Sequence, residues 1–389
     1  MNKDKYVFAQ MVEFLDNYKF LRIVKKYDGN KYVKHFICWN QLLTLIFGQL
    51  CNRESLRDLI VALNAHQEKC YHLGVGKHVT RSNLAKANEN RDYRIFEDFA
   101  FYMISEARKK RINDIFKLNG NVYAFDSTTI DLCLKLFPWA NFRTHKGGVK
   151  IHTLYDVETQ VPAFIHITEA KINDVKAMDV IPYESGSFYV FDRANDYHRL
   201  YKIHMMDSFF VVRAKTNIKA KVLKWKRRLP KNIQSDCEIE LTGFYTQKSY
   251  PETIRLVRFW DEEDEREFIY LTNAKHIQAL QVAELYKNRW QVELFFKWLK
   301  QHLKIKKFWG TSENAVKIQV YSAIIAYCLV AIMQHDMKLD RSTYEVLQIL
   351  GISLTDKTPL RDLFSKTKFN DVKEQSGLDG PNLFSNYNF

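Results

Sequence analysis

The sequence predicts an α/β fold: a mixed β-sheet with flanking helices, preceded by a helical amino-terminal domain and interrupted by a β-rich insertion. Three observations predict it. Apolar residues recur at helical spacing through most of the first 118 positions, short β-type runs begin at Asn121, and a second set of such runs ends just before a strongly amphipathic helix. The expected segments are therefore residues 1–118 (helical), 119–214 (first part of the core), 215–275 (insertion), 276–312 (last core helix) and 313–389 (carboxy-terminal helices and tail).

In the first segment, Phe96, Phe99 and Met103 fall on one side of a helix that ends in Arg108-Lys109-Lys110-Arg111, a cluster that reads as a solvated helix end or a phosphate contact. The core strands are expected at 122–125, 150–155, 162–167, 188–191 and 209–213, with helices at 173–181 and 197–206. The order β-β-β-α-β-α-β is the connectivity of a ribonuclease H-like domain. Three further runs, at 238–241, 254–259 and 267–271, make the insertion a small β subdomain. Its leading stretch sets Lys219, Lys221, Lys224, Lys226, Arg227 and Arg228 around Trp225, which suits either a nucleic-acid strand or a solvated hairpin.

Composition bounds the function. A chain of 389 residues that is 46% hydrophobic can bury a sizeable core in two or three packed units. Lys and Arg number 59 against 45 Asp and Glu, a net charge of +14. That surplus favours a polyanionic partner such as nucleic acid, although an ordinary basic enzyme also fits. Six singly spaced cysteines, without a CxxC pair, suit buried thiols in a reducing cytoplasm. The first residues do not read as a signal peptide. Val320–Met333 is shorter than the roughly 18 to 20 residues a bilayer needs, so no membrane is expected and that run reads as a buried helix.

The chemistry rests on carboxylates. Asp126 follows the apolar run 122–125 and Asp192 follows 188–191, so both are expected where strand ends open to ligand. Either alone reads equally as a turn residue or helix cap. Glu293 lies on the amphipathic helix, and at about 100° per residue Tyr286, Arg289, Glu293 and Lys300 share an arc of roughly 60°. Val292, Phe295, Phe296 and Leu299 form the adjacent apolar stripe that holds this helix on the sheet. Trp290 borders the polar face and reads as a base-stacking or core residue; Lys297 borders it too. His152 and His166 sit within expected strands, where packing or a side-chain hydrogen bond is the simpler reading than metal ligation.

The spacing Tyr286-x2-Arg289-x3-Glu293-x6-Lys300 resembles the YREK signature of the insertion-sequence-four family of DDE transposases. Asp126-Ser127-Thr128, the stretch from His145 to His152, Phe191-Asp192-Arg193, Leu271-Thr272-Asn273 and Arg289-Trp290-Gln291-Val292-Glu293 are similar to that family as well. Many relatives carry Gly-Tyr where this chain has Ala194-Asn195. The resemblance implies a ribonuclease H-like core with a β-rich insertion before the last catalytic helix, and an amino-terminal region that binds DNA ends.

On this reading Asp126, Asp192 and Glu293 are hard oxygen ligands for two ions of Mg²⁺ or Mn²⁺, about 4 Å apart, with Asp126 bridging both. The resemblance assigns Tyr286, Arg289 and Lys300 to DNA contact near the cut end, with Trp290 and Lys297 as further candidates. The expected activity is cleavage at transposon ends and strand transfer into target DNA by a homodimer, in the cytoplasm and at the nucleoid. A ribonuclease H-like nuclease that only hydrolyses, and an inactive DNA-binding regulator of a related element, remain open alternatives. Lys304, Lys306 and Lys307 extend the basic surface, and the tail from Asp371 carries no chemical signal.

Overall fold

The computed structural model describes residues 4–76, 79–111, 115–143, 146–193, 196–215, 217–302, 307–341 and 343–365. His145, Ala194, Asn195, Lys304, Lys306 and the tail from Asp371 lie outside the described residues. Among the described residues ten strands form one sheet: β1 (Val122–Leu132), β2 (Asn141–Arg143), β3 (Lys146–Asp156), β4 (Val161–Glu169), β5 (Phe188–Arg193), β6 (Phe209–Arg213), β7 (Ala220–Trp225), β8 (Ile233–Leu241), β9 (Ile254–Asp261) and β10 (Arg266–Thr272). The described residues before them form the helices α1 (Val7–Val12), α2 (Asn17–Lys26), α3 (Cys38–Leu50), α4 (Leu56–Ala65), α5 (Gln67–Cys70), α6 (Arg81–Asn90) and α7 (Arg94–Lys110). Short α8 (Asp174–Ala177), α9 (Tyr197–Met205) and α10 (Phe244–Ser249) lie between strands. After the sheet come α11 (Ala279–Asn288), α12 (Trp290–His302), α13 (Glu313–Asp336), α14 (Thr343–Ser353) and α15 (Leu360–Phe364). Several starts are fixed by side-chain caps: Asp16, Ser55, Thr80, Asp196 and Ser312 each accept a backbone N–H of the first turn.

The strand order β4-β3-β1-β5-β6, with β3 antiparallel to β1 and with β1, β5 and β6 mutually parallel, is that of a ribonuclease H-like sheet. The insertion extends this sheet in its own plane: β10 pairs with β6, and β9, β8 and β7 follow in antiparallel order. It contributes four strands where three runs were legible, because β7 is exposed along most of its length and its basic residues hide the alternation. At the other end of the core strands, Gly120 and Gly186 pack backbone against backbone. A Cβ on Gly120 would fall 2.1 Å from the Gly186 carbonyl oxygen, so the entry to β1 admits no side chain at Gly120.

Alternation along the strands decides which side chains face which layer. Val122 and Ala124, Phe188 and Val190, and Val211 join one apolar core with α11, α12, α13 and the amino-terminal helices. Tyr123 and Phe125, Tyr189 and Phe191, and Phe210 and Val212 join a second core under α9 and the α8 segment. Helix α13 is apolar on all sides and buried from Ala315 to Gln334 apart from Lys317. Long enough to cross a membrane, it instead packs against α7 and α3 and holds α12 from behind, with Tyr327 edge-on to Phe295 and Trp298. The basic end of α7 is largely engaged within the protein: Arg108 donates to the buried Asp156 at 2.9 Å and to the Tyr123 hydroxyl at 2.6 Å, and Lys110 pairs with Asp336.

The buried pair Arg255–Asp236 ties the insertion to the last core helices. Arg255 donates to Asp236 at 2.8 and 2.7 Å and to the carbonyls of Ala274 and Ile277 at 3.0 and 2.7 Å, immediately before α11. Arg255→Ala leaves Asp236 without its buried bidentate partner and should lower the unfolding free energy by about 3–5 kcal/mol in a denaturant titration. The double change Arg255→Met with Asp236→Leu should cost much less. A loss below about 1 kcal/mol for the single variant would show the pair to be dispensable.

Candidate active site

The acidic positions follow from register. Asp126 lies on β1, which runs on to Leu132 because Ser127 to Leu132 pair with β3. The strand is longer than its apolar run suggests. Pairing with β5 nevertheless stops at Ala124, so Asp126 stands where the sheet opens between these strands. It shares the face of Val122 and Ala124, which is the face covered by α12. Asp192 stands on β5 at a shift of register against β6, between Phe191 and Arg193. Such a shift bends a strand and re-aims the displaced side chain.

Helices α11 and α12 meet at Arg289, whose backbone remains α-helical. Around it the bonds tighten to three-residue spacing, Arg289 N–H to Tyr286 O at 3.1 Å and Val292 N–H to Arg289 O at 3.2 Å. The near-continuous helix reaches all three acids. Arg289 Nη1 donates to Asp126 Oδ2 at 2.9 Å and Nη2 to Glu293 Oε1 at 2.7 Å. Tyr286, one turn earlier, donates its hydroxyl to the backbone oxygen and Oδ1 of Asp192 at 3.0 and 3.2 Å. Lys300 donates to the Thr129 carbonyl on β1 at 3.2 Å. Trp290 and Lys297 are exposed, and Trp290 therefore has no core role.

Charge around these groups is unevenly balanced. Burial pushes the Asp126 carboxyl above its ordinary range, and this outweighs the Ser127 amide and the Arg289 guanidinium that pull it down. Burial alone would lower the Arg289 pKa, but Glu293 and Asp126 outweigh it and raise it. Burial also raises the Tyr286 hydroxyl, and Asp192 adds to this. The Arg289 Nε is buried without a hydrogen-bond acceptor. Asp192 is half exposed, with Arg213 and Arg193 at 3.6 and 3.8 Å.

Asp174, at the start of α8, gave no signal in the sequence because an Asp after Asn173 reads as an ordinary turn or helix start. It lines a cavity of about 150 Å³ together with Asp126, Asp192, Arg193 and Asp196. Behind it His152 is fully buried, with Nδ1 3.1 Å from Asp174 Oδ1 and Nε2 2.9 Å from the Thr168 hydroxyl. Lys150 Nζ lies 3.5 Å from the same carboxylate oxygen. Burial opposes ionisation of Asp174, yet the nearness of His152, Ser127 and Lys150 outweighs it and lowers the pKa to about 2. His152 thus buttresses a carboxylate from within the sheet.

The donors here suit a hard divalent cation, because every candidate ligand offers carboxylate oxygen. Among the described residues no three acidic, histidine or cysteine side chains converge closely enough to hold one ion as they stand. Arg289 lies between Asp126 and Glu293 in this arrangement.

Comparison with known proteins bears on this site. Residues 118–329, which contain all of the acidic groups above and the whole sheet, match the family described as transposase DDE domain. Residues 3–76 match a family described as a domain of unknown function. A candidate transposase of Sinorhizobium fredii is 32% identical over 299 residues, covering 72% of this chain and 78% of the relative. The candidate transposase of an insertion sequence element of Geobacillus stearothermophilus is 30% identical over 259 residues, 64% of this chain and 66% of the relative. Another, for an insertion sequence element of Synechocystis, is 28% identical over 326 residues, with 81% and 86% covered. A family match across more than half of the chain, on a ribonuclease H-like sheet with acids at its opening, shows that this chain belongs to the DDE transposases.

Proposed function

We propose that Asp126, Asp192 and Glu293 are the catalytic carboxylates of a cut-and-paste transposase that cleaves double-stranded DNA at transposon ends and joins the freed 3′ end to target DNA. The observation that carries this reading is the reach of one helix to three acids: Arg289 contacts Asp126 and Glu293 while Tyr286 contacts Asp192. Acids drawn from β1, β5 and α12 to a single helix face form a site rather than three separate surface groups. The three carboxylates would hold two divalent ions, Mg²⁺ or Mn²⁺. Such ions, when bound, activate an attacking hydroxyl and stabilise the leaving 3′ oxygen of an in-line displacement.

The remaining roles belong to side chains of this chain. Arg289 presents a planar fork with a free buried Nε–H, suited to a phosphate oxygen. Tyr286 orients the Asp192 carboxylate through its hydroxyl. Lys300 anchors α12 to β1 and adds positive charge near the cut end; Trp290 and Lys297 lie exposed, where DNA can be met. Joining two ends to one target suits a homodimer assembled on DNA, acting at the nucleoid.

Asp126→Ala should reduce Mg²⁺-dependent cleavage of a terminal-repeat duplex by at least about three orders of magnitude, or about 4 kcal/mol of transition-state stabilisation. Cleavage at the unaltered rate would sink the assignment. Incubating the unmodified protein with a pre-cut 3′-hydroxyl end and a plasmid should give covalently joined product; release of nicked plasmid alone would indicate a hydrolytic nuclease. Tyr286→Phe keeps the ring but loses the hydrogen bond to Asp192, and single-turnover cleavage should slow about tenfold.

A further inference from the structure

Four carboxylates of the described residues line the acidic cavity, Asp126, Asp174, Asp192 and Asp196, and the proposed function uses only Asp126 and Asp192 of them. Asp196 is engaged locally: it accepts the Arg199 backbone N–H at 3.0 Å at the start of α9 and the Arg199 guanidinium at 2.6 Å. Asp174 serves no such cap. Asn173 opens α8 instead, its side chain accepting the Val175 N–H at 3.1 Å. Asp174 is held from inside the sheet. Its Oδ1 is buried and lies 3.1 Å from Nδ1 of the fully buried His152 and 3.5 Å from Lys150 Nζ, both on β3. The side chain as a whole is nevertheless half exposed, so the rest of the carboxylate opens on the cavity.

Register brings this group to Asp126. His152 stands opposite Ser127 across the β1–β3 ladder, and Asp174 interacts with both. Ser127 is also the residue whose amide holds Asp126 Oδ1 at 2.7 Å. An imidazole inside a sheet costs free energy unless its nitrogens are met, and the groups in reach of them are the Thr168 hydroxyl at 2.9 Å and Asp174. The closer contact of the Lys150 ammonium is to the Ile172 carbonyl, at 2.9 Å, so its charge is shared rather than given to Asp174 alone. The negative charge of Asp174 is felt at Asp126: burial is the main cause of the raised Asp126 carboxyl, and Glu293 and Asp174 add to it.

We propose that Asp174 is a fourth carboxylate of the site, a positioning residue whose charge strengthens the hold of Asp126 on a divalent cation. It acts without touching the ion. Groups one step removed from a ligand set how strongly that ligand binds, by about 10- to 100-fold in metal affinity. The inference rests on the reading of Asp126 as a metal-bearing acid, and it adds the segment before β5 to a site otherwise built from β1, β5 and α12.

The test measures Mn²⁺ binding to the full chain by electron paramagnetic resonance, and in parallel the Mg²⁺ concentration that gives half-maximal cleavage of a terminal-repeat duplex. Asp174→Asn keeps the shape of the side chain and removes its charge. Asp174→Ser removes the charge with a smaller group, so that misfolding of one, seen in thermal unfolding, leaves the other as the test. Each should weaken Mn²⁺ binding about tenfold and raise the Mg²⁺ half-saturation by the same factor, with the rate at saturating Mg²⁺ within about threefold of the parent. Asp179→Asn removes a charge from the same stretch of chain, where Asp179 pairs with Arg199 and does not line the cavity, and should change neither quantity. Unchanged Mn²⁺ affinity and Mg²⁺ half-saturation in the Asp174 variants overturn the proposal, as does an equal loss in Asp179→Asn, which would reflect net charge alone. A fall in the saturated rate at unaltered half-saturation overturns it too, since charge at Asp126 would then not be what Asp174 supplies. Failure of the catalytic reading shows separately: Asp126→Ala would then keep both Mn²⁺ binding and cleavage, whatever Asp174 does.

Discussion

Carboxylates gathered at one site repel one another, and the guanidinium of Arg289 is the group that lets two of them stand close in this protein. Its two terminal nitrogens donate to Asp126 and Glu293 at 2.9 and 2.7 Å, a bridge that needs a planar fork and that a lysine ammonium would span poorly. Asp192 is compensated differently, by the Tyr286 hydroxyl and by Arg213 and Arg193 at longer range. Asp174 has its own support in Lys150 and buried His152. Each acid therefore has positive charge or a donor in reach, with Asp126 and Glu293 sharing the one guanidinium. The arrangement holds only if α11 and α12 keep their position over the openings of β1 and β5.

Much of the remaining fold serves that placement. The apolar stripe of α12, Val292, Phe295, Phe296 and Leu299, is buried in the core that also contains Val122, Ala124 and Val190. Behind it α13 closes the layer, and Tyr327 both packs on Phe295 and donates to the Gln160 carbonyl at the β3–β4 turn. In front, Arg255 clamps the chain at Ala274 and Ile277, one turn before α11 begins. Burying a guanidinium and a carboxylate this deeply is expensive unless every donor is met, and here the pairing is bidentate with two further carbonyl acceptors. The insertion thus does more than fill an interval in the sequence. Its strands continue the sheet and fix the start of the helix that reaches the acids.

What was legible in the sequence follows what leaves a periodic trace. The parallel strands of the core stand out as unbroken apolar runs because both of their faces are buried, and the helix stripe at Val292 to Leu299 marks its own inward side. Tyr286, Arg289 and Glu293 could be grouped by angle alone, and the structure brings them to Asp126 and Asp192. The spacing could not reveal that Arg289 would bridge two acids, since that depends on the sheet beneath it. Strand β7 escaped because exposed lysines replace the apolar half of its alternation, and β1 appeared short because its polar second half pairs only with β3. Asp174 escaped for another reason: its place beside Asp126 comes from the crossing of α8 over the sheet edge, a contact made by chain segments far apart in sequence.

Arginine and metal ions are alternative answers to the same electrostatic problem, at the same oxygen atoms. Burial holds the Asp126 carboxyl above its ordinary range even with a guanidinium and a backbone N–H on its oxygens. Divalent cations held by Asp126 and Glu293, as proposed, would compete with Arg289 for the same oxygens. An arginine displaced from carboxylates retains its fork and its unsatisfied Nε–H, and the nearest chemistry that fits both is a phosphate. On the proposed function, metal and DNA would favour each other's binding: ions held by the carboxylates would leave the Arg289 fork for a phosphate, and phosphate would supply the negative charge that lets ions and arginine coexist.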